Sequence, residues 1–186
     1  MRFIETLLIT DKIENLGYHN KRMNKTRKKF FNAKELDLKD FIKVIPNKRV
    51  RVVYDEKIQK VEYFNLQKRE FKKLKVVKND SIEYDYKYED RSQLNSLKVD
   101  GYDEIIIVKN GLITDTTISN LAFLYKNEWL TPKTPLLPGT KREELIDKKL
   151  LKTSDIELGD LKKFSKFAML NAIVGFYEIP INAIEL

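Results

Sequence analysis

The sequence predicts an α+β fold in two lobes, residues 1–84 and 85–186. Residues 49–54 and 58–64 alternate apolar and polar side chains around a short polar turn, which is typical of a β-hairpin. Asn110-Gly111 lies between two apolar runs and indicates a second hairpin with a type I′ turn. Helices are predicted between such hairpins and not in regular alternation with single strands, so we expect a mixed fold without repeated βαβ units.

In the first lobe, residues 1–9 are predicted to form a strand, and residues 19–33 a helix. An approximate apolar face of the helix consists of Leu16, Met23, Phe30 and Phe31. The hairpin follows, and then a strand at 81–86 at the boundary between the lobes.

In the second lobe, a short helix is predicted at 89–98. A buried strand at 104–108 follows, which turns at Asn110-Gly111 and returns along 112–116. Another strand at 120–125 turns at 126–128 into Trp129-Leu130. An irregular loop with three prolines then leads to a helix at 141–151, a short helix at 160–164, and one or two strands within 167–181.

Composition narrows the classes of function. The chain has 186 residues, 42% of them apolar, which is enough for a packed core. There is no cysteine and only one histidine, His19, so thiol chemistry is excluded and we expect no metal site. No apolar run approaches the roughly 20 residues of a membrane span, and no signal-peptide pattern is seen. We therefore expect a cytoplasmic protein without a membrane partner. The net charge is +8, but most of the lysines alternate with acidic residues along the chain, and we interpret them as a solvated, lysine-rich surface.

Three sets of residues are candidates for chemistry. Lys87 lies between Tyr86 and Tyr88, and a lysine in an apolar setting can lose its proton and attack a carbonyl group. Gly139 precedes a predicted helix whose N-terminus suits a phosphate. A polar cluster also follows the Asn110-Gly111 turn. Each set also has an ordinary structural interpretation, respectively as a surface lysine, a helix start and a polar hairpin end.

Six segments in order nevertheless carry a resemblance to a known family. They are Phe3-Ile-Glu-Thr6, Tyr18-His-Asn-Lys-Arg-Met23, Tyr86-Lys-Tyr-Glu-Asp-Arg91, the hairpin from Asp103 to Asn120, Thr131-Pro132 with Leu137-Pro-Gly-Thr-Lys-Arg142, and Leu170-Asn-Ala172. Together they resemble the class IV pyridoxal-phosphate (PLP) enzymes, which include aminodeoxychorismate lyase, branched-chain aminotransferases and D-amino acid aminotransferases. The resemblance implies fold type IV, as in D-amino acid aminotransferase, with a trimmed N-terminal lobe, because typical members have further strands before the first segment.

The resemblance implies roles for the residues of these segments. Lys87 would hold PLP as a Schiff base and then move protons as general acid and base. Arg22 would bind the cofactor phosphate through charge-assisted hydrogen bonds, and Thr140 and Lys141 would offer it their backbone N–H groups.

Asp115 stands where the family has glutamate, a carboxylate that pairs with the pyridine nitrogen and keeps it protonated. Aspartate is shorter by about 1.5 Å, so we expect a closer cofactor, a bridging water or a lost contact. Ser119 and Asn120 would line the cofactor, and Asn171 the substrate.

The function implied is a PLP enzyme acting on a small amino-acid-like substrate as a homodimer. The segment Leu170-Asn171-Ala172 favours 4-amino-4-deoxychorismate lyase, which releases pyruvate and leaves 4-aminobenzoate. An aminotransferase acting on a small amino acid is the alternative, and a catalytically degenerate binding protein is a second one. Nucleic-acid binding is disfavoured because no helix-turn-helix, zinc or RNA-recognition signature is present.

Overall fold

The computed structural model describes all residues from Met1 to Leu186 and confirms the mixed α+β fold. The chain divides into two compact units, one of residues 1–68 with 86–90 and the other of residues 69–85 with 91–186. This division differs from a single boundary at residues 84/85. Residues 69–85 contain a strand that pairs within the second unit, and residues 86–90 pair with the first strand of the chain.

The first unit is a three-stranded antiparallel sheet with one long helix. Its elements are β1 (Phe3–Ile9), α1 (Leu16–Phe31), β2 (Lys48–Tyr54) and β3 (Ile58–Asn65), and the sheet order is β1-β2-β3. Helix α1 ends at Asn32, which adopts the left-handed conformation (φ 50°) and donates its N–H to the carbonyls of Arg27 and Lys28. The buried face of α1 supplies Met23 to a core that includes Phe3 and Leu7 of β1.

The second unit is built on two sheets. Its elements are β4 (Leu74–Lys78), α2 (Ser92–Ser96), β5 (Glu104–Lys109), β6 (Leu112–Ile113), β7 (Asn120–Tyr125), β8 (Glu128–Pro132), α3 (Thr140–Asp147), β9 (Lys152–Ser154), β10 (Lys166–Asn171), β11 (Gly175–Pro180) and β12 (Ile184–Glu185). One sheet has the order β12-β4-β5-β6 and the other β11-β10-β7-β8-β9. The two sheets share one apolar core, to which β5, β7 and β10 contribute Ile106, Phe123 and Phe167.

Two predicted strands were wrong in place or length, and the helices expected at 89–98 and 141–151 are shorter, at Ser92–Ser96 and Thr140–Asp147. The strand expected at 81–86 lies instead at Leu74–Lys78, where it pairs in parallel with β5. The return strand expected at 112–116 ends at Ile113, and the chain beyond it forms a polar loop. The Asn110-Gly111 turn has positive φ at both residues, 50° and 79°, as a type I′ turn requires. None of the helices combines the length and the apolar character of a membrane span.

Candidate active site

Lys87 lies at the centre of a γ-turn beside β1, in which the N–H of Tyr88 donates to the carbonyl of Tyr86 at 2.8 Å. The N–H of Ile4 donates to the carbonyl of Lys87 at 2.9 Å, and Phe3 forms a β-bridge with Tyr88. The rings of Tyr86 and Tyr88 pack on Phe30 and Phe3, with centroids 4.8 and 5.1 Å apart. The two tyrosines therefore anchor the turn on both sides of Lys87, which is half-buried.

A fully buried carboxylate, Glu5, lies at the centre of β1 and joins it to α1. Glu5 Oε1 accepts from Arg22 Nε at 2.9 Å, and Glu5 Oε2 accepts from Arg22 Nη2 at 2.6 Å. His19 Nδ1 lies 2.6 Å from the same Oε2. His19 and Arg22 are three residues apart on α1, so the helix presents both on one face.

The charges of this cluster fix its protonation. Burial alone would raise the pKa of Glu5, but the Arg22 charge and the hydrogen bonds from His19 and Arg22 outweigh it and lower that pKa to about 2. Burial lowers the pKa of His19, and the positive charges of Arg22 and Lys87 act in the same direction. His19 is therefore neutral at pH 7. Since an ionised carboxylate only accepts hydrogen bonds, the His19 ring must carry its proton on Nδ1.

Lys87 belongs electrostatically to this cluster, because its charge is one of those that lower the pKa of His19. Arg22 and Lys87 thus both act on His19 beside the Glu5 carboxylate, and cationic groups suit an anionic ligand. The structure brings Arg22 and Lys87 together in the first unit, together with two residues to which sequence reasoning gave no role, Glu5 and His19. The available signals were an acidic residue amid the apolar β1 sequence and the three-residue spacing on α1.

Asp115, in the second unit, prolongs the pairing of β5 beyond the short strand β6. Its carbonyl accepts the N–H of Ile107 at 2.8 Å. Its side chain is buried, with Oδ1 accepting from Asn120 Nδ2 at 2.7 Å and Oδ2 from the backbone N–H of Leu137 at 2.9 Å. Burial raises the pKa of Asp115 to about 6, against the opposing effects of these hydrogen bonds and of the Arg142 charge.

Helix α3 begins at Thr140, immediately after Gly139. The first helical hydrogen bond runs from the N–H of Glu143 to the carbonyl of Gly139 at 3.0 Å. The first amides of a helix point out of its N-terminus, where an anion is favoured by the helix dipole. Thr140 is buried at this end, and the Lys141 ammonium pairs with Glu144 at 2.9 Å. The backbone N–H groups of Thr140 and Lys141 lie at this helix start, and their contact with a phosphate stays a prediction.

The side chains of Ser119 and Asn171 both form hydrogen bonds within or next to loops. The hydroxyl of Ser119 lies 2.9 Å from that of Thr116. Asn171 Oδ1 accepts the N–H groups of Ile173 and Val174 at 2.8 Å each, so its side chain caps the turn that follows β10. Their predicted contacts with cofactor and substrate stay predictions.

Comparison with known proteins supplies a family. The family model for amino-transferase class IV matches residues 91–181. An uncharacterized protein of Haemophilus influenzae is 33% identical over 182 residues, which cover 92% of this chain and 97% of that protein.

Two crystal structures show how far the likeness of fold extends. A "putative 4-amino-4-deoxychorismate lyase" from Haemophilus somnus 129pt is 31% identical, with a TM-score of 0.88, over 94% of this chain and 97% of that one. The PLP-bound form of a hypothetical aminotransferase from Mycobacterium tuberculosis has a TM-score of 0.77 at 14% identity, over 96% of this chain and 80% of that one. The second likeness concerns the fold alone.

Proposed function

The chain belongs to the amino-transferase class IV family, a family of PLP enzymes, and we propose that it acts as a 4-amino-4-deoxychorismate lyase. The proposed reaction converts 4-amino-4-deoxychorismate into 4-aminobenzoate and pyruvate. In it, a carbon–oxygen bond breaks, the ring carbon bearing the amino group loses a proton, and the methylene of the departing group gains one. The observation that carries the proposal is the placement of Lys87, held by its backbone on β1 near the cluster of Glu5, His19 and Arg22.

The chemistry of the donors fits PLP part by part. The Lys87 amine suits the aldehyde of the cofactor. The Arg22 guanidinium in the first unit suits its phosphate, and so, considered by itself, does the start of α3 in the second. The buried carboxylate of Asp115 suits a protonated pyridine nitrogen, because a cation is the ligand that best relieves the cost of an uncompensated buried charge.

Bound PLP supplies an electron sink for the negative charge that develops when the substrate loses its proton. Lys87 would take that proton at the carbon bearing the amino group and return one to the departing methylene. Arg22, fixed by Glu5, would orient the phosphate and hence the ring. Asp115 would hold the proton on the ring nitrogen, and its burial would keep water from competing for that contact.

The lyase assignment is favoured over the aminotransferase by the likeness at 31% identity to the Haemophilus somnus protein across nearly the whole chain. It is also favoured by the Leu170-Asn171-Ala172 segment. The aminotransferase remains the second candidate because the family contains both activities. A homodimeric state and a cytoplasmic location are further parts of the proposal that rest on the family resemblance.

The test is an assay of the purified protein with PLP and 4-amino-4-deoxychorismate, without any keto acid. We expect 4-aminobenzoate and pyruvate in equal amounts, and neither product with Lys87→Ala. Fluorescence measures 4-aminobenzoate, and a coupled assay with lactate dehydrogenase measures pyruvate. Turnover that requires both an amino acid and a keto acid would establish the aminotransferase instead. PLP binding without turnover in either assay would favour the non-catalytic alternative.

A further inference from the structure

Asn120 and Asp115 form a closed ring of hydrogen bonds with one residue of the loop that precedes α3. Asn120 Nδ2 donates to Asp115 Oδ1 and to the carbonyl of Leu137, at 2.7 Å each. The N–H of Leu137 donates to Asp115 Oδ2 at 2.9 Å. Both protons of the Asn120 amide are thus used within the ring, and both polar groups of residue 137 are held by it.

The third contact of Asn120 is with Gly139. A Cβ atom at residue 139 would lie 2.0 Å from Asn120 Oδ1, far inside van der Waals contact. The backbone of Gly139 has φ −80° and ψ 144°, an extended conformation that any residue adopts. The glycine is therefore required by the position of the Asn120 side chain and not by the backbone.

Asn120 is itself fixed in place by β7. It is the first residue of that strand and pairs with Leu170 of β10, and its side chain is buried. The loop from Leu137 to Gly139 is irregular and has no strand partner of its own, so its position relative to β7 depends on this amide. Thr140 and Lys141, which begin α3, follow directly.

We infer that Asn120 is a positioning residue that joins the Asp115 carboxylate to the start of α3, and so sets the phosphate-binding end of the site without touching the cofactor. The inference rests on the proposed function for the identity of the ligand. It replaces the simpler expectation that the Asn120 side chain lines the cofactor.

The experiment compares the dissociation constants of PLP and of pyridoxal, which lacks the phosphate, for the full-length protein. Asn120→Ala should weaken PLP binding roughly 5- to 10-fold, the effect of losing about one hydrogen bond at the anion. Pyridoxal binding should change less than about two-fold, so the ratio of the PLP dissociation constant to the pyridoxal dissociation constant rises. A role confined to general stability would move both constants alike.

The chain offers a matched control. Asn24 also holds both polar groups of one residue, with its Nδ2 donating to the Leu36 carbonyl at 2.8 Å and its Oδ1 accepting from the Leu36 N–H at 3.0 Å. It lies on α1, in the first unit, so Asn24→Ala should lower the melting temperature without changing the ratio of PLP to pyridoxal affinity.

Gly139→Ala tests the same contact between residue 139 and Asn120 by changing the other partner. It should reproduce the selective loss of PLP affinity, and the double variant Asn120→Ala/Gly139→Ala should show less than the sum of the two effects, because the added methyl no longer meets Oδ1. Asn120→Ser, which keeps one donor, serves if Asn120→Ala does not fold. An unchanged affinity ratio together with additive effects would overturn the inference and leave the proposed function intact. A wild-type protein that binds no PLP would overturn the proposed function and the inference with it.

Discussion

Glu5 in the first unit and Asp115 in the second are both fully buried carboxyl groups, yet their pKa values shift in opposite directions, to about 2 and about 6. Glu5 accepts two hydrogen bonds from the Arg22 guanidinium and one from His19. Asp115 accepts from neutral groups, the Asn120 amide and the Leu137 N–H. Burial penalises the charged form of both, and the charge of the partner decides the outcome.

The difference separates a structural carboxylate from one suited to a ligand. The counter-charge of Glu5 is the Arg22 guanidinium of the protein itself. Glu5 therefore holds Arg22 in place and requires no bound cation to stay ionised. The nearby charge of Arg142 does not overcome the burial of Asp115, so its pKa stays high and a bound cation would stabilise its ionised form. A protonated pyridine nitrogen is such a cation.

The largest expected effect comes from removing the charge of Glu5. Glu5→Gln should lower the free energy of unfolding by about 3–5 kcal/mol, because one partner of a buried ion pair is lost. Glu62→Gln, in the more exposed pair with Arg51 at 2.8 Å, is the matched control and should cost much less. Urea unfolding at pH 7 measures both. Equal losses would mean that burial does not distinguish the two pairs.

The second prediction concerns the pH dependence of stability of the cofactor-free protein. The pKa of Asp115 is raised from 3.8 to about 6, so its folded form holds a proton that the unfolded chain has lost. Its contribution is therefore complete below pH 3.8 and is lost as pH rises through about 6. The loss is about 3 kcal/mol.

Urea unfolding between about pH 4.5 and pH 7 tests this sign, with Asp115→Asn as the comparison. Glu5 and His19 also change protonation in the unfolded chain within this range, but they do so equally in the two proteins and cancel in the comparison. The wild type should lose more stability than the variant over this range. Parallel pH profiles would show that Asp115 does not titrate there, and the contrast with Glu5 would be lost.

The smallest expected effect is on cofactor affinity. Arg22→Ala should weaken PLP binding by roughly 1.5–3 kcal/mol, the contribution of a charge-assisted hydrogen bond. Arg51→Ala removes another arginine of the same unit that also pairs with glutamate, and should leave the affinity unchanged. Fluorescence titration with PLP measures both. Equal dissociation constants for the two variants would remove Arg22 from the phosphate site.

Local patterns in the sequence predicted most of the fold. The hairpins β2–β3 and β5–β6 follow from alternation and from Asn110-Gly111, and their turns lie where expected. Strand β4 was missed because it pairs in parallel with β5, a contact that no local turn signals, and because its two valines lie within a lysine-rich stretch. Parallel pairing depends on long-range packing, which periodicity within one segment does not reveal.

The candidate site was predicted unevenly for the same reason. Lys87, Arg22 and Asp115 could be proposed from ordered motifs along the chain. The partners of these residues could not, because Glu5 meets Arg22 only when β1 packs on α1, and Asp115 meets Leu137 only when the loop before α3 folds back onto β7. Sequence order identified the residues, and tertiary contacts decide their charge states.

We expect Lys87 to bind PLP covalently, which borohydride reduction followed by peptide mapping would detect. The protein, incubated with PLP and reduced, should carry one cofactor on the peptide containing Lys87, and Lys87→Ala should carry none while remaining folded by circular dichroism. Lys98, an exposed lysine beyond α2, provides the control variant Lys98→Ala, which should be labelled as the wild type is. A reduced adduct on any other lysine, or none in the wild type, would contradict the account.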